Sequence, residues 1–248
     1  MKRNVLLLAA ILVMGLYSCK KNNNHTTTTW SPDPVNGELP TSVLPEELKE
    51  AVGEYFVIYD GNNPAKVHGE FISQPHVLIA NSIMPNYNYQ DTTQTMFYND
   101  RYICFDINSN GYIDFYGKQW DDSLIYSQGE YHGGFYEETY RNLKSTGTGD
   151  KFTCYYITEG YPNGMYAKFS TIFSGKWNSA YGGIKDFQVA VILLETSGNP
   201  ELDPVNSYRI LGDYDSLAKN DAWMKKGAMP DRSGKLAEDD AFFMFRKR

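Results

Sequence analysis

The chain has 248 residues and a formal net charge of −7. An acidic chain gains nothing from releasing phosphate counterions, so nucleic acid is excluded as an expected partner. Three cysteines are too few for a disulfide scaffold, and 20 Tyr with 13 Phe tilt the chain toward strands, where aromatic side chains are favoured.

In chain order, the first signal lies at the start. Lys2 and Arg3 precede an unbroken apolar run from Val5 to Tyr17, closed by Leu16-Tyr17-Ser18-Cys19. A basic start, a short apolar stretch and small residues before a cut mark a secretory signal. The run falls short of the about 20 apolar residues that span a bilayer, and no later segment approaches that length. Leu16, Ser18 and Cys19 resemble a bacterial lipobox. The resemblance implies that residues 1–18 are removed and that Cys19 takes a diacylglyceryl group on sulfur, with further acylation (palmitate) at its new amino terminus. Two or more acyl chains give stable anchoring at a membrane surface. Lys20 is not an inner-membrane retention aspartate, so the outer membrane is the expected address, with the leaflet left open. Loss of Lys2 and Arg3 makes the mature chain two units more acidic.

Residues 19–40 read as the lipidated cysteine and a flexible tether. They hold an Asn run, four threonines from Thr26 to Thr29, and Pro32, Pro34 and Pro40, with too little apolar content to repay their ordering entropy. A coil of roughly 20 residues would lift a domain about 25 Å from the membrane. A helix then opens at Leu44-Pro45-Glu46-Glu47-Leu48, where proline and acids suit a first turn. Leu44, Leu48, Val52 and Tyr55 recur at helical spacing.

From Val67 the period becomes two. Strands are predicted at 67–73, 76–83, 95–98, 102–107, 112–116, 123–127, 139–143, 152–158, 165–177, 184–195 and 208–211, separated by turns such as Asn108-Ser109-Asn110-Gly111 and Pro162-Asn163-Gly164. Consecutive strands with short turns and no intervening helices predict an all-β, antiparallel meander. Closing it into a barrel buries its apolar face and removes its edges. The domain is expected to span 41–223. Residues 224–248 form an extension that ends in Phe242-Phe243-Met244-Phe245 and a basic tripeptide, an apolar cluster that should dock or serve as a contact.

Several stretches resemble a family of uncharacterised lipocalin-like lipoproteins of anaerobic gut bacteria. They are Tyr59-Asp60-Gly61-Asn62-Asn63-Pro64 leading to His68-Gly69-Glu70-Phe71-Ile72, then Lys151-Phe152-Thr153, Phe173-Ser174-Gly175, Gly183-Ile184-Lys185-Asp186-Phe187, and Arg209-Ile210-Leu211-Gly212-Asp213-Tyr214-Asp215-Ser216-Leu217-Ala218. The chain departs from the family pattern at Ala65 and Ser216 and runs past Trp223. The resemblance implies a lipocalin-like barrel after a short helix, and no reaction or cofactor.

Candidate chemistry is sparse. Asp106-Ile107-Asn108-Ser109-Asn110-Gly111-Tyr112-Ile113-Asp114 follows the first nine positions of a calcium loop, with Asp106, Asn108, Asn110 and Asp114 as oxygen donors. Position 12, which should supply a bidentate acid, is Gly117, and a hairpin is the reading the residues favour. Asp213 and Asp215 suit a turn cap. His68, His76 and His132 lack zinc spacing. The acid pairs Glu137-Glu138, Asp121-Asp122 and Asp239-Asp240 point to opposite strand faces, read as mostly solvated, and form no glycosidase dyad. No catalytic motif appears. Cys104 and Cys154 lie in predicted strands of an oxidising compartment; two separate buried thiols are expected, with a bridge as the alternative. Tyr155, Tyr156, Tyr166, Phe169, Phe173 and Trp177 are the candidate ligand-lining rings, against the plainer reading of barrel core. The expectation is a non-enzymatic, lipid-anchored barrel without cofactor that binds a small ligand, a glycan or a partner. The alternatives are an interaction subunit of an outer-membrane assembly and, more remotely, a glycan- or lipid-acting hydrolase.

Overall fold

A computed structural model gives the fold. It describes residues 28–220 apart from 85, 89, 91–94, 99, 122–125, 128, 129, 132, 133, 162–164, 199 and 201. The signal segment, Cys19, His132 and the cluster Phe242–Phe245 lie outside the described residues.

The strands are β1 (Thr28–Trp30), β2 (Asn62–Asn63), β3 (Gly69–Ser73), β4 (His76–Asn81), β5 (Phe97–Tyr98), β6 (Arg101–Ile107), β7 (Ile113–Asp121), β8 (Tyr126–Ser127) and β9 (Glu130–Tyr131). There follow β10 (Gly134–Thr148), β11 (Lys151–Gly160), β12 (Ala167–Trp177), β13 (Gly183–Thr196), β14 (Tyr208–Asp213) and β15 (Leu217–Asn220). Strands β3, β6, β7, β10, β11, β12 and β13 pair antiparallel in that order, and β15 bridges β13 back to β3, which closes an eight-stranded barrel. The expected all-β barrel with one short helix is therefore present.

Alternation decides what fills the cylinder. Phe71, Phe105, Phe115, Phe152, Phe173 and Phe187 are buried in one cluster with Tyr140, Tyr156 and aliphatic residues of β13. The Phe115 and Phe173 ring centroids are 4.5 Å apart, and the Tyr140 and Tyr156 rings stack at 3.8 Å. Such rings bury large areas and make the axis a packed core.

A second core lies outside the barrel. Leu39, Val43, Leu44, Leu48, Val52 and Phe56 cover Tyr155 and Ile157 of β11, Ile172 of β12, Ala190 and Ile192 of β13, and Ile210 of β14. They belong to a strap that includes a 3₁₀ turn (Glu46–Leu48) and helix α1 (Lys49–Gly53). Each fully buried side chain of this size contributes about 1.5–3 kcal/mol. The helical stripe ends differently from its predicted form: Phe56, not Tyr55, is the buried fourth residue.

The tether reading fails beyond residue 27. Thr28–Trp30 pair with Glu159, Thr158 and Ile157 of β11. Ser31 Oγ donates to the Tyr155 carbonyl at 2.6 Å and accepts from Lys144 N–H at 2.9 Å. The physical reason is an open edge. Strand β10 is in register with β11 over 144–146, and β1 takes up the β11 edge beyond it. Leu39, Val43 and Leu44 then pull the following residues onto the sheet.

Glu138 also departs from expectation. It is not solvated: it is buried inside the barrel in an ion pair with the buried Arg101, and Tyr156 donates its hydroxyl proton to Glu138 Oε2 at 3.3 Å. Between them runs β7, where Gly117 stands opposite Glu138. A Cβ at Gly117 would come within 2.5 Å of Glu138 Oε1. Breaking one partner of such a pair leaves a buried charge alone. Glu138→Gln or Arg101→Met should therefore lower unfolding stability by about 3–5 kcal/mol, whereas the paired change Arg101→Met with Glu138→Leu should recover most of it. Chemical denaturation of the three variants checks this.

Candidate functional site

The site grows from broken ladders at one side of the barrel. β13 pairs with β15 through 183–185 and with β14 from Gln188 onward, so the strand changes partner at Asp186 and Phe187. Asp186 has φ 52° there, and its N–H donates to the Ser216 carbonyl at 2.7 Å. Ser216, with φ 63°, lies in the turn that bends β14 into β15. The third corner is Gln74-Pro75 between β3 and β4. Asp213 ties two of these corners: Oδ2 accepts Gln74 N–H at 2.8 Å, and Oδ1 accepts Asp215 N–H at 3.2 Å. Asp215 Oδ1 in turn accepts Leu217 N–H at 3.2 Å, so both acids act in the turn as the sequence predicted.

Where three corners meet, the sheet surface is indented, and the strap crosses beside it. Gln188 pins the strap: its Oε1 accepts Val57 N–H at 3.0 Å and its Nε2 donates to the Tyr55 carbonyl at 2.8 Å. The Ser174 hydroxyl donates to the Val57 carbonyl. The result is an open groove of about 550 Å³. Tyr55, Val57 and Tyr59 form its strap wall, Tyr214 and Ser216 its corner wall, and Lys151, Lys176 and Asp186 one end. The volume lies within the about 300–1,000 Å³ common for small-molecule sites.

The charges in the groove are matched. Lys176 Nζ lies 2.7 Å from Asp186 Oδ2, and Lys151 Nζ lies 5.6 Å from the Tyr59 ring centroid. Hydrogen bonding to Asp186 holds the Lys176 ammonium above its ordinary range. Burial, with a hydrogen bond to Asp215, pushes Asp213 up to about 7. Val77 and Phe187 at the groove are buried, but Tyr214 is 47 % and Val57 46 % accessible, and Phe97, 61 % accessible, lies against Tyr214 with centroids 6.1 Å apart.

The predicted rings do not gather at one place. Tyr156, Phe169 and Phe173 point into the barrel core, and Trp177 packs at its edge, where it meets His68 edge-on at 4.6 Å. Tyr155 faces the other way, beneath the strap. Tyr166 lies at the opposite end of β12 from Trp177, with its hydroxyl donating to Glu159 Oε2 at 2.9 Å and Tyr161 beside it at 5.6 Å. Burial pushes the Tyr156 and Tyr166 hydroxyls well up, so both stay protonated. The plainer reading of core applies to Tyr156, Phe169 and Phe173.

The loop at 106–114 is the expected hairpin, with β6 and β7 paired across it. Asn108 and Asp114 are used in the fold of the hairpin. Asn108 Oδ1 accepts the N–H groups of Asn110 and Tyr112, and Asn108 Nδ2 donates to Asp114 Oδ1 at 2.9 Å. Among the described residues no group of three or more His, Cys, Asp or Glu is placed to hold a metal ion. Cys104 and Cys154 are separate buried thiols, not a disulfide, and burial raises the Cys154 thiol far above its usual range.

Sequence reasoning missed the groove. Its residues are scattered over the strap, β4, β11, β12, β13 and the end of β14 with its turn, so no local spacing joins them. One signal was present: Tyr214 places an aromatic ring inside the polar turn Asp213 to Ser216. It also missed the buried polar pair Ser73 and His76, whose Oγ and Nδ1 lie 2.9 Å apart.

No family model, curated protein or solved structure matches the chain. The lipocalin-like resemblance accordingly rests on the segments quoted above.

His76 and Asp213 make opposed contributions to stability. Burial, followed by the nearby Arg101 charge, lowers His76 to about 3 from 6.5. Between those values the unfolded chain binds a proton that the folded chain does not, so stability rises with pH. Asp213, raised to about 7 from 3.8, is protonated folded and ionised unfolded across that window, so stability falls with pH. Denaturation midpoints measured from about pH 4 to about pH 6.5 should therefore fall with pH in His76→Gln and rise with pH in Asp213→Asn, each more steeply than in the parent protein.

Proposed function

We propose that this is a lipid-anchored lipoprotein of the bacterial outer membrane whose lipocalin-like barrel binds a small ligand and catalyses no reaction. The address follows from the lipobox resemblance at Leu16 to Cys19. The binding role is supported by one observation above the others: an open groove of about 550 Å³, walled by the exposed Tyr55 and Tyr214 with the half-buried Tyr59, beside a strap pinned by Gln188. Because aromatic rings fill the barrel axis, the ligand is assigned to this flank in our reading. A fixed barrel with a strap hydrogen-bonded at both ends of one glutamine is a preorganised wall, which lowers the ordering cost of binding.

The second reading, an interaction subunit of a larger assembly, is favoured by the exposed Phe97 and Tyr214 rings beside the groove. The two separate by what the groove retains. Protein extracted from membranes in mild detergent should release a small molecule on denaturation, and Val57→Trp, which fills the groove, should carry less of it. A parent protein that carries no small molecule but purifies with another envelope protein would replace the first reading with the second.

The anchor is tested independently. Cys19→Ala should move the protein from the membrane fraction to the soluble envelope fraction; a variant still held in membranes would refute acylation at this residue.

A further inference from the structure

The groove's chemistry narrows the ligand class, given that it is a binding site as proposed above. Its charged groups nearly cancel. Lys176 is paired with Asp186, Lys151 lies near the Tyr59 ring, and Asp213, titrating near neutrality, already accepts two backbone N–H groups. Glu54 is the remaining acid. A phosphate, sulfate or polycarboxylate would find no uncompensated cluster of cations. An entirely apolar ligand would bury the Lys176 and Asp186 charges without new partners, which is costly.

What the groove does offer is a pair of walls with exposed aromatic rings and polar groups between them. The exposed Tyr55 and the half-buried Tyr59 come from the strap, and the exposed Tyr214, extended by Phe97, comes from the β14–β15 corner. Ser216, Asp186 and Lys176 line the same groove and supply a hydroxyl, a carboxylate and an ammonium. The complementary ligand is neutral, has flat apolar faces for the rings, and carries hydroxyls on its rim for both donors and acceptors. We infer that the corner groove binds a neutral oligosaccharide, with Tyr214 and Tyr55 stacking on sugar faces and Asp186, Lys176 and Ser216 hydrogen-bonding sugar hydroxyls. The groove is open, as it must be for a chain that continues past both ends of the bound units.

The test uses detergent-extracted full-length mature protein against an array of neutral and acidic glycans, followed by calorimetry with soluble neutral oligosaccharides of two to four units. The expected result is binding to at least one neutral glycan. Tyr214→Ala should weaken it by about tenfold, and Tyr214→Phe should preserve it, because the ring face carries the contact. Tyr214 is exposed, so thermal unfolding of Tyr214→Ala should match the parent, which separates a lost contact from a lost fold. Binding only to acidic glycans, binding indifferent to Tyr214→Ala, or no glycan bound at all would each overturn the inference. A non-carbohydrate molecule that co-purifies with the parent and is lost in Val57→Trp would leave the binding reading standing while this one fell.

Discussion

Closure of the sheet depends on a four-residue strand. β15 meets β13 at three residue pairs and β3 at two, and no other strand joins those two sides of the cylinder among the described residues. Without that seam, β3 and the 183–185 stretch of β13 would have a free edge, and the packed rings of Phe105, Phe115 and Phe173 would lose the closed wall around them. The turn that delivers β15 is correspondingly well fixed. Asp213, Asp215 and Ser216 all use backbone hydrogen bonds to set its path, one of them reaching across to Gln74.

The same economy of strands produces the groove. β13 cannot pair with β14 and β15 along one line, so it changes partner at Asp186, and its neighbours bend in step. A barrel with straight, uninterrupted ladders would present a smooth flank. Here each change of partner releases backbone groups that side chains or turns must satisfy, and the indentation is bordered by the residues that satisfy them. Gln188 fastens the strap across the opening, which couples the outer core to the geometry of the site.

The barrel was legible because its cause is local. Runs of strand-favouring residues separated by short turns mark the sheet, and Asn108 to Gly111 states where the chain reverses. Pairing of β1 with β11 was not legible. Thr28, Thr29 and Trp30 sit in a polar run that reads as coil, and their partner edge is set by where β10 leaves β11, a property of the folded sheet. The buried Arg101 and Glu138 pair was hidden for a related reason. An acid beside another acid reads as surface, and only the register that places Gly117 opposite Glu138 reveals the space made for its carboxylate. The groove residues come from six separate segments, so no window of sequence contains them.

The short ladder of β1 has a mechanical meaning if Cys19 carries the proposed lipid. Among the described residues, traction from the bilayer meets Thr28 first and must strip three backbone pairs, then the Ser31 hydroxyl, before it reaches the strap. Those rungs belong to a strand added to the ring, not to one that closes it. The leash is thus made fast to an outer cleat, and a tug on it spends itself there while the hoop stays whole.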